Sequence, residues 1–112
     1  MKFEPLPFQQ PKLGPVGRFD AVLSPDGWRD STYEGLNETF LGSAAISEFS
    51  KLVYYIFKEC NTQSAMMKYF NKYGTAANNV SSSVFFCGEE LEYVATATGY
   101  SLTINSYRKE ET

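Results

Sequence analysis

Any chemistry in this chain would have to proceed without imidazole. The sequence contains no histidine, which removes the most frequent general base, metal ligand and neutral-pH proton shuttle. Carboxylates, lysines, tyrosines and two cysteines remain. Cys60 and Cys87 have no histidine to draw off a thiol proton, and Ser81-Ser82-Ser83 does not sit in a Gly-x-Ser-x-Gly turn, so no activated nucleophile stands out. Asp26 and Asp30 flank Gly27-Trp28-Arg29, and two carboxylates so close could hold a divalent cation or act as an acid and base pair. A calcium loop starting at Asp26 would need a glutamate at its twelfth position, where Asn37 stands. Asp26 is accounted for as a turn former, and Asp30 as a cap or a partner of Arg29. Gly14-Pro15-Val16-Gly17 lacks the Lys-Ser/Thr ending of a phosphate-binding loop. The expectation is therefore no catalytic residue, no metal and no cofactor: a protein that binds rather than an enzyme.

Residues suited to binding are easier to find. Trp28, the only tryptophan, follows a turn instead of falling inside an apolar period. It reads either as a core plug supplied by a loop or, with Arg29 and Tyr33, as a partner-binding anchor, since Trp, Tyr and Arg dominate interface hot spots. Glu89, Glu90 and Glu92 cluster on and just after a hairpin turn. Glu90 and Glu92 would point the same way along a strand, opposite Leu91 and Tyr93. A solvated strand face explains them, as does a negative surface that steers a basic partner. The expected site is this acidic hairpin, extended by the Asp26–Tyr33 loop.

Ten basic and thirteen acidic residues give a formal charge of −3. Strong nucleic-acid binders show a dominant basic surface, whereas the basic signal here is limited to Lys51, Lys58, Lys68 and Lys72. Interleaved with Tyr54, Tyr55 and Tyr69, these offer only a faint version of a nucleic-acid platform. No apolar run approaches the ~18 residues of a membrane span. Met1-Lys2-Phe3-Glu4-Pro5 places an acid and a proline where a secretion signal has its apolar core. Cytoplasmic residence and two free thiols are expected.

The elements that must position these groups can be traced along the chain. Its 112 residues suit a single domain. Nine Phe and eight Tyr supply ample apolar surface, although so many phenols require several tyrosines to sit half-exposed. Prolines 5, 7, 11 and 15 make 1–17 an extended arm, neither helix nor central strand. Phe19, Ala21 and Leu23 alternate with polar neighbours in a short strand, 18–24, before the turn Ser24-Pro25-Asp26-Gly27. In 28–42, Asp30-Ser31-Thr32 suits the cap of a short turn, and Glu38–Leu41 has room for a second short strand.

Ala45, Phe49, Leu52, Val53, Ile56 and Cys60 recur at three and four, predicting a helix over 43–60 capped by Ser43 or Ser47, its apolar face widened by Tyr54 and Phe57. Thr62 caps a second helix over 63–73, with Met66, Tyr69, Phe70 and Tyr73 as its stripe and Gly74 as its stop. The period then changes to two. Strands are predicted over 82–87, 90–98 and 100–107, the first pair joined by Gly88-Glu89 as a type II′ turn. A charged tail covers 108–112.

The fold expected is α+β, with two helices packed on a mainly antiparallel sheet whose C-terminal part is a three-stranded meander. Its expected function is that of a small acidic protein that binds and inhibits or regulates a basic protein partner, as an immunity protein neutralises a nuclease toxin. A structural homo-oligomer and a nucleic-acid regulator using the helical lysines are the alternatives.

Overall fold

The computed structural model describes residues 3–35 and 41–109. Within them the element order is β1 (Pro15–Ser24), β2 (Gly27–Glu34), α1 (Ser43–Glu59), α2 (Gln63–Tyr73), β3 (Thr75–Ala76), β4 (Ser81–Cys87), β5 (Leu91–Thr98) and β6 (Ser101–Arg108). The strands form one antiparallel sheet in the order β2-β1-β6-β5-β4-β3. The helical segment therefore leaves from one edge strand and returns at the other, which lays both helices across one face.

Strand register explains why that face is apolar. Phe19, Ile104, Ala95 and Val84 form one row across β1, β6, β5 and β4; Ala21, Leu102 and Ala97 lie in the next, ending at Ser82. A third row runs Gly17, Ser106, Tyr93, Phe86. Because side chains alternate along each strand, a single register buries all three rows together. The α1 stripe of Ala45, Phe49, Leu52, Val53 and Ile56 packs on them with Cys60, Met66, Tyr69 and Phe70. The alanines at 95 and 97 leave room for the helices to approach. Each large side chain removed from water here stabilises the fold by roughly 1.5–3 kcal/mol.

The β1–β2 hairpin turns at Pro25-Asp26 as expected, with Ser24 opposite Gly27. It also pins the joint between the helices. Trp28 stacks on Phe57 at 4.7 Å between ring centroids, its indole N–H donates to the carbonyl of Cys60 at 3.1 Å, and the Gln63 amide donates to the carbonyl of Leu23 at 2.9 Å. Thr62 caps α2 by accepting from the Ala65 N–H at 3.0 Å.

Several sequence expectations are corrected. Pro15–Gly17 belong to β1, a strand inside the sheet, because Pro15 occupies its first position, where a missing N–H is tolerated. Asp30-Ser31-Thr32 caps nothing. These residues run through β2, an edge strand whose outward exposure erases the apolar alternation, with Asp30 at φ 55° near the register shift in the hairpin. Gly42, not Ser43 or Ser47, is the N-cap of α1, and no side chain closes it. Tyr54 does not widen the buried face; it is 73% exposed. Of the two cysteines, Cys60 is buried and Cys87 exposed. The strand suggested at Glu38–Leu41 lies almost wholly outside the described residues, as do 110–112 of the tail expected over 108–112, whose Arg108 instead closes β6 opposite Leu91. The two-residue β3 had no sequence signal.

At the edge of β4, beyond the short β3, the N-terminal arm is anchored by backbone pairing of Leu6 with Phe85, at 2.9 and 3.2 Å. No helix of the described residues is long and apolar enough to cross a membrane.

Two outcomes follow. Trp28→Ala should cost about 2–3 kcal/mol in urea unfolding, below the loss for a fully buried aromatic because the indole is only half-buried. Burial, followed by the neighbouring Glu59 charge, pushes the Cys60 thiol up to about 12. Iodoacetamide should therefore alkylate Cys87 in the native protein and Cys60 only after unfolding, as peptide mass mapping would show.

Candidate functional site

A carboxylate inside the apolar stripe of α1 organises the end of the sheet where β4 turns into β5. Glu48 is 3% exposed. Its Oε2 accepts from the backbone N–H of Glu89 at 2.7 Å and of Glu90 at 3.1 Å. Its Oε1 accepts from the Leu91 N–H at 3.1 Å and the Tyr93 hydroxyl at 2.9 Å. Three successive N–H groups converge on one anion, the kind of concavity that backbone turns offer to anions. Burial pushes the Tyr93 phenol above its ordinary range, and its bond to Glu48 pushes it further, so it stays a donor.

The clamp also explains Gly88. A Cβ there would stand 2.0 Å from Glu48 Oε1. Gly88 is not among the residues with positive φ, which corrects the type II′ expectation. The loop is Glu89-Glu90, closed by the Gly88 N–H donating to the Leu91 carbonyl at 2.9 Å. Glycine is needed here for close approach rather than for φ. Glu90 consequently lies in the turn and not on the strand beside Glu92.

Tyr55 and Glu59 follow Glu48 on α1 at seven and eleven residues, so all three share one line of the helix. Phe3 and Glu4 run beside that line. Phe3, Glu4, Pro5, Tyr55, Glu59, Tyr69 and Tyr73 line a groove of about 520 Å³. Phe3 and Glu4 also wall a second groove of about 410 Å³, with Leu6, Cys87, Gly88, Glu89 and Lys109. The Lys109 ammonium donates to the Gly88 carbonyl at 2.9 Å. The two grooves bring Glu59, Glu4 and Glu89 into one acidic tract bordered by four aromatic rings.

The residues expected from sequence to bind a partner are not gathered into one patch. Glu89 and Glu90 are exposed at the clamped turn. Glu92 is half-buried and lines a separate small groove with Gln9, Gln10, Pro11, Lys12 and Phe85. Leu91 and Arg108 mark the same end of the sheet as Pro15, whereas Trp28 pairs with Leu23 at the opposite end, near Ser101. The Asp26–Tyr33 segment therefore does not extend the acidic hairpin. Trp28 is packed on Phe57, Arg29 is paired with Asp26 at 3.2 Å, and Tyr33 covers Phe19 at 4.8 Å while remaining 47% exposed.

Sequence reasoning missed Glu48 and the Glu4–Glu59 groove. A charge between Ala45 and Phe49 on an apolar stripe was the available signal for the first. The spacing of Tyr69 and Tyr73, one helical turn apart, was the signal for the second. Among the described residues, no group of three Cys, Asp or Glu side chains gathers in a metal-holding arrangement.

Removing the clamp should be measurable. Glu48→Ala leaves buried donors unpaired and should cost about 3 kcal/mol. Gly88→Ala should cost about 2 kcal/mol by overpacking against the carboxylate. Combined, they should cost clearly less than the sum, because the added methyl then occupies vacated space; a double-mutant cycle by chemical unfolding measures that coupling. No protein-family model, curated protein or solved structure matches the chain.

Proposed function

We propose that this is a binding protein that docks its acidic tract onto a basic surface of a protein partner and thereby inhibits or regulates it. Neutralisation of a basic nuclease toxin by an immunity protein is one form of that action. The observation that carries this reading is the pair of grooves sharing Phe3 and Glu4, which assembles Glu4, Glu59 and Glu89 beside aromatic rings. A mainly acidic concave surface, in which the Lys109 ammonium is turned to the Gly88 carbonyl, steers association of a cation, and aromatic rings provide area held at low entropic cost. Among the described residues the ion pairs are Arg18–Asp20 and Arg29–Asp26, both away from the tract.

The clamp supports the same reading. Like charges on adjacent turn residues oppose folding slightly, and here Glu48 stabilises the turn by holding their backbone while their side chains face solvent. The test is affinity capture from the cell of origin, followed by association kinetics with the captured protein. Reversal of both turn carboxylates, Glu89→Lys with Glu90→Lys, should slow association roughly tenfold and flatten its salt dependence while leaving unfolding nearly unchanged. Asp26→Lys, at the far end of the sheet, should leave the rate unaltered. Equal rates for the turn reversal and the wild type would reject the acidic-surface reading.

A further inference from the structure

We propose that the groove between Phe3-Glu4 and the two helices is a receptor for the guanidinium of one arginine side chain on the partner; this rests on the basic-partner reading above. The walls of the groove are Phe3, Tyr55, Tyr69 and Tyr73, and it carries two carboxylates, Glu4 and Glu59. At about 520 Å³, it falls inside the roughly 300–1,000 Å³ range of ligand pockets.

The rings turn around the groove instead of stacking. Phe3 and Tyr55 are inclined by 52° at 5.9 Å, Tyr55 and Tyr69 by 73° at 6.5 Å, and Tyr69 and Tyr73 by 54° at 4.9 Å. Phe3 and Tyr69 are almost wholly buried, so Tyr55 and Tyr73 supply most of the ring surface that a cation in the groove could reach. The rings are also held in place. The Tyr55 and Tyr69 hydroxyls are hydrogen-bonded to each other at 3.3 Å, and Phe3 and Tyr55 both pack on Phe86. Burial pushes both phenols above their ordinary range, so the rings stay neutral. Tyr73 already accepts a cation from its own chain, the Lys72 ammonium at 5.0 Å from its centroid.

Neither Glu4 nor Glu59 pairs with a basic group among the described residues. A guanidinium suits the combination better than an ammonium. It is planar enough to lie on a tyrosine face, gives up hydration more readily, and offers a fork of N–H donors to carboxylates.

The test uses the isotope-labelled whole protein and three short blocked peptides, Gly-Arg-Gly, Gly-Lys-Gly and the neutral isostere Gly-citrulline-Gly, followed by NMR. The arginine peptide should shift the ring signals of Tyr55, Tyr69 and Tyr73 saturably, the lysine peptide should bind roughly 2- to 5-fold more weakly, and the citrulline peptide should leave them unmoved. Glu59→Gln and Tyr73→Ala, at exposed positions, should each weaken arginine binding by a similar factor with the amide spectrum otherwise intact. Lysine binding equal to arginine, a response to citrulline, no saturable shift, or indifference to both substitutions would each overturn the proposal. Because those readouts need no partner, the pocket can fail while the Glu89 and Glu90 reversal still slows capture. In that case the acidic surface stands without its arginine receptor.

Discussion

A buried carboxylate sets the terms for this fold. Glu48 sits among apolar side chains on α1, where an unpaired charge would be far too costly to keep. It is satisfied only when the backbone of 89–91 and the Tyr93 hydroxyl are brought to it. That demand fixes α1 against the start of β5, excludes a side chain at position 88, and turns the carboxylates of Glu89 and Glu90 outward. It also carries along the helix. Tyr55 and Glu59 lie on the same line of α1, so the contact that holds the turn sets the position of the groove two and three helical turns away.

The N-terminal arm completes that arrangement from outside the sheet's regular order. Its prolines keep it extended, Leu6 pairs with the exposed edge of β4 beyond the two-residue β3, and Phe3 enters the core beside Tyr55 and Phe86. An exposed strand edge is a pairing hazard, and here the arm covers part of it while supplying Glu4 to the tract. The arm thus joins the two grooves and covers part of an edge through the same few residues.

Much of the architecture was legible in the sequence because it rests on period. The stripe at Ala45, Phe49, Leu52, Val53 and Ile56 marks α1 unambiguously, and alternation from Leu91 to Ala97 and from Leu102 to Ile104 marks the meander. Thr62 starts α2 by local chemistry, whereas Gly74 ends it with an ordinary extended backbone and Ser82 packed against it. What period does not record was lost. Strand β2 is exposed along Arg29–Glu34 and shows no alternation. The partners of Glu48 lie 41 to 45 residues downstream, beyond any local pattern. Gly88 looked like a turn former because its need for space depends on a residue from another element. The acidic hairpin was visible from three nearby glutamates, but its neighbours Glu4 and Glu59 come from the arm and from α1, and only folding gathers them.

The placement of β1 between β2 and β6 has a kinetic side. β1 is the first strand of the sheet in sequence and β6 the last, yet they are direct neighbours, with Phe19 opposite Ile104 and Ala21 opposite Leu102. The amino-terminal hairpin can form early as a local unit, but its central strand keeps one edge open until the meander has formed and β6 arrives. Closing so long a loop carries an entropic cost before any contact repays it. The sheet is completed by a non-local zipper between its sequence extremes, and during that interval an edge of β1, with Phe19, Ala21 and Leu23 on it, stands open to neighbouring chains.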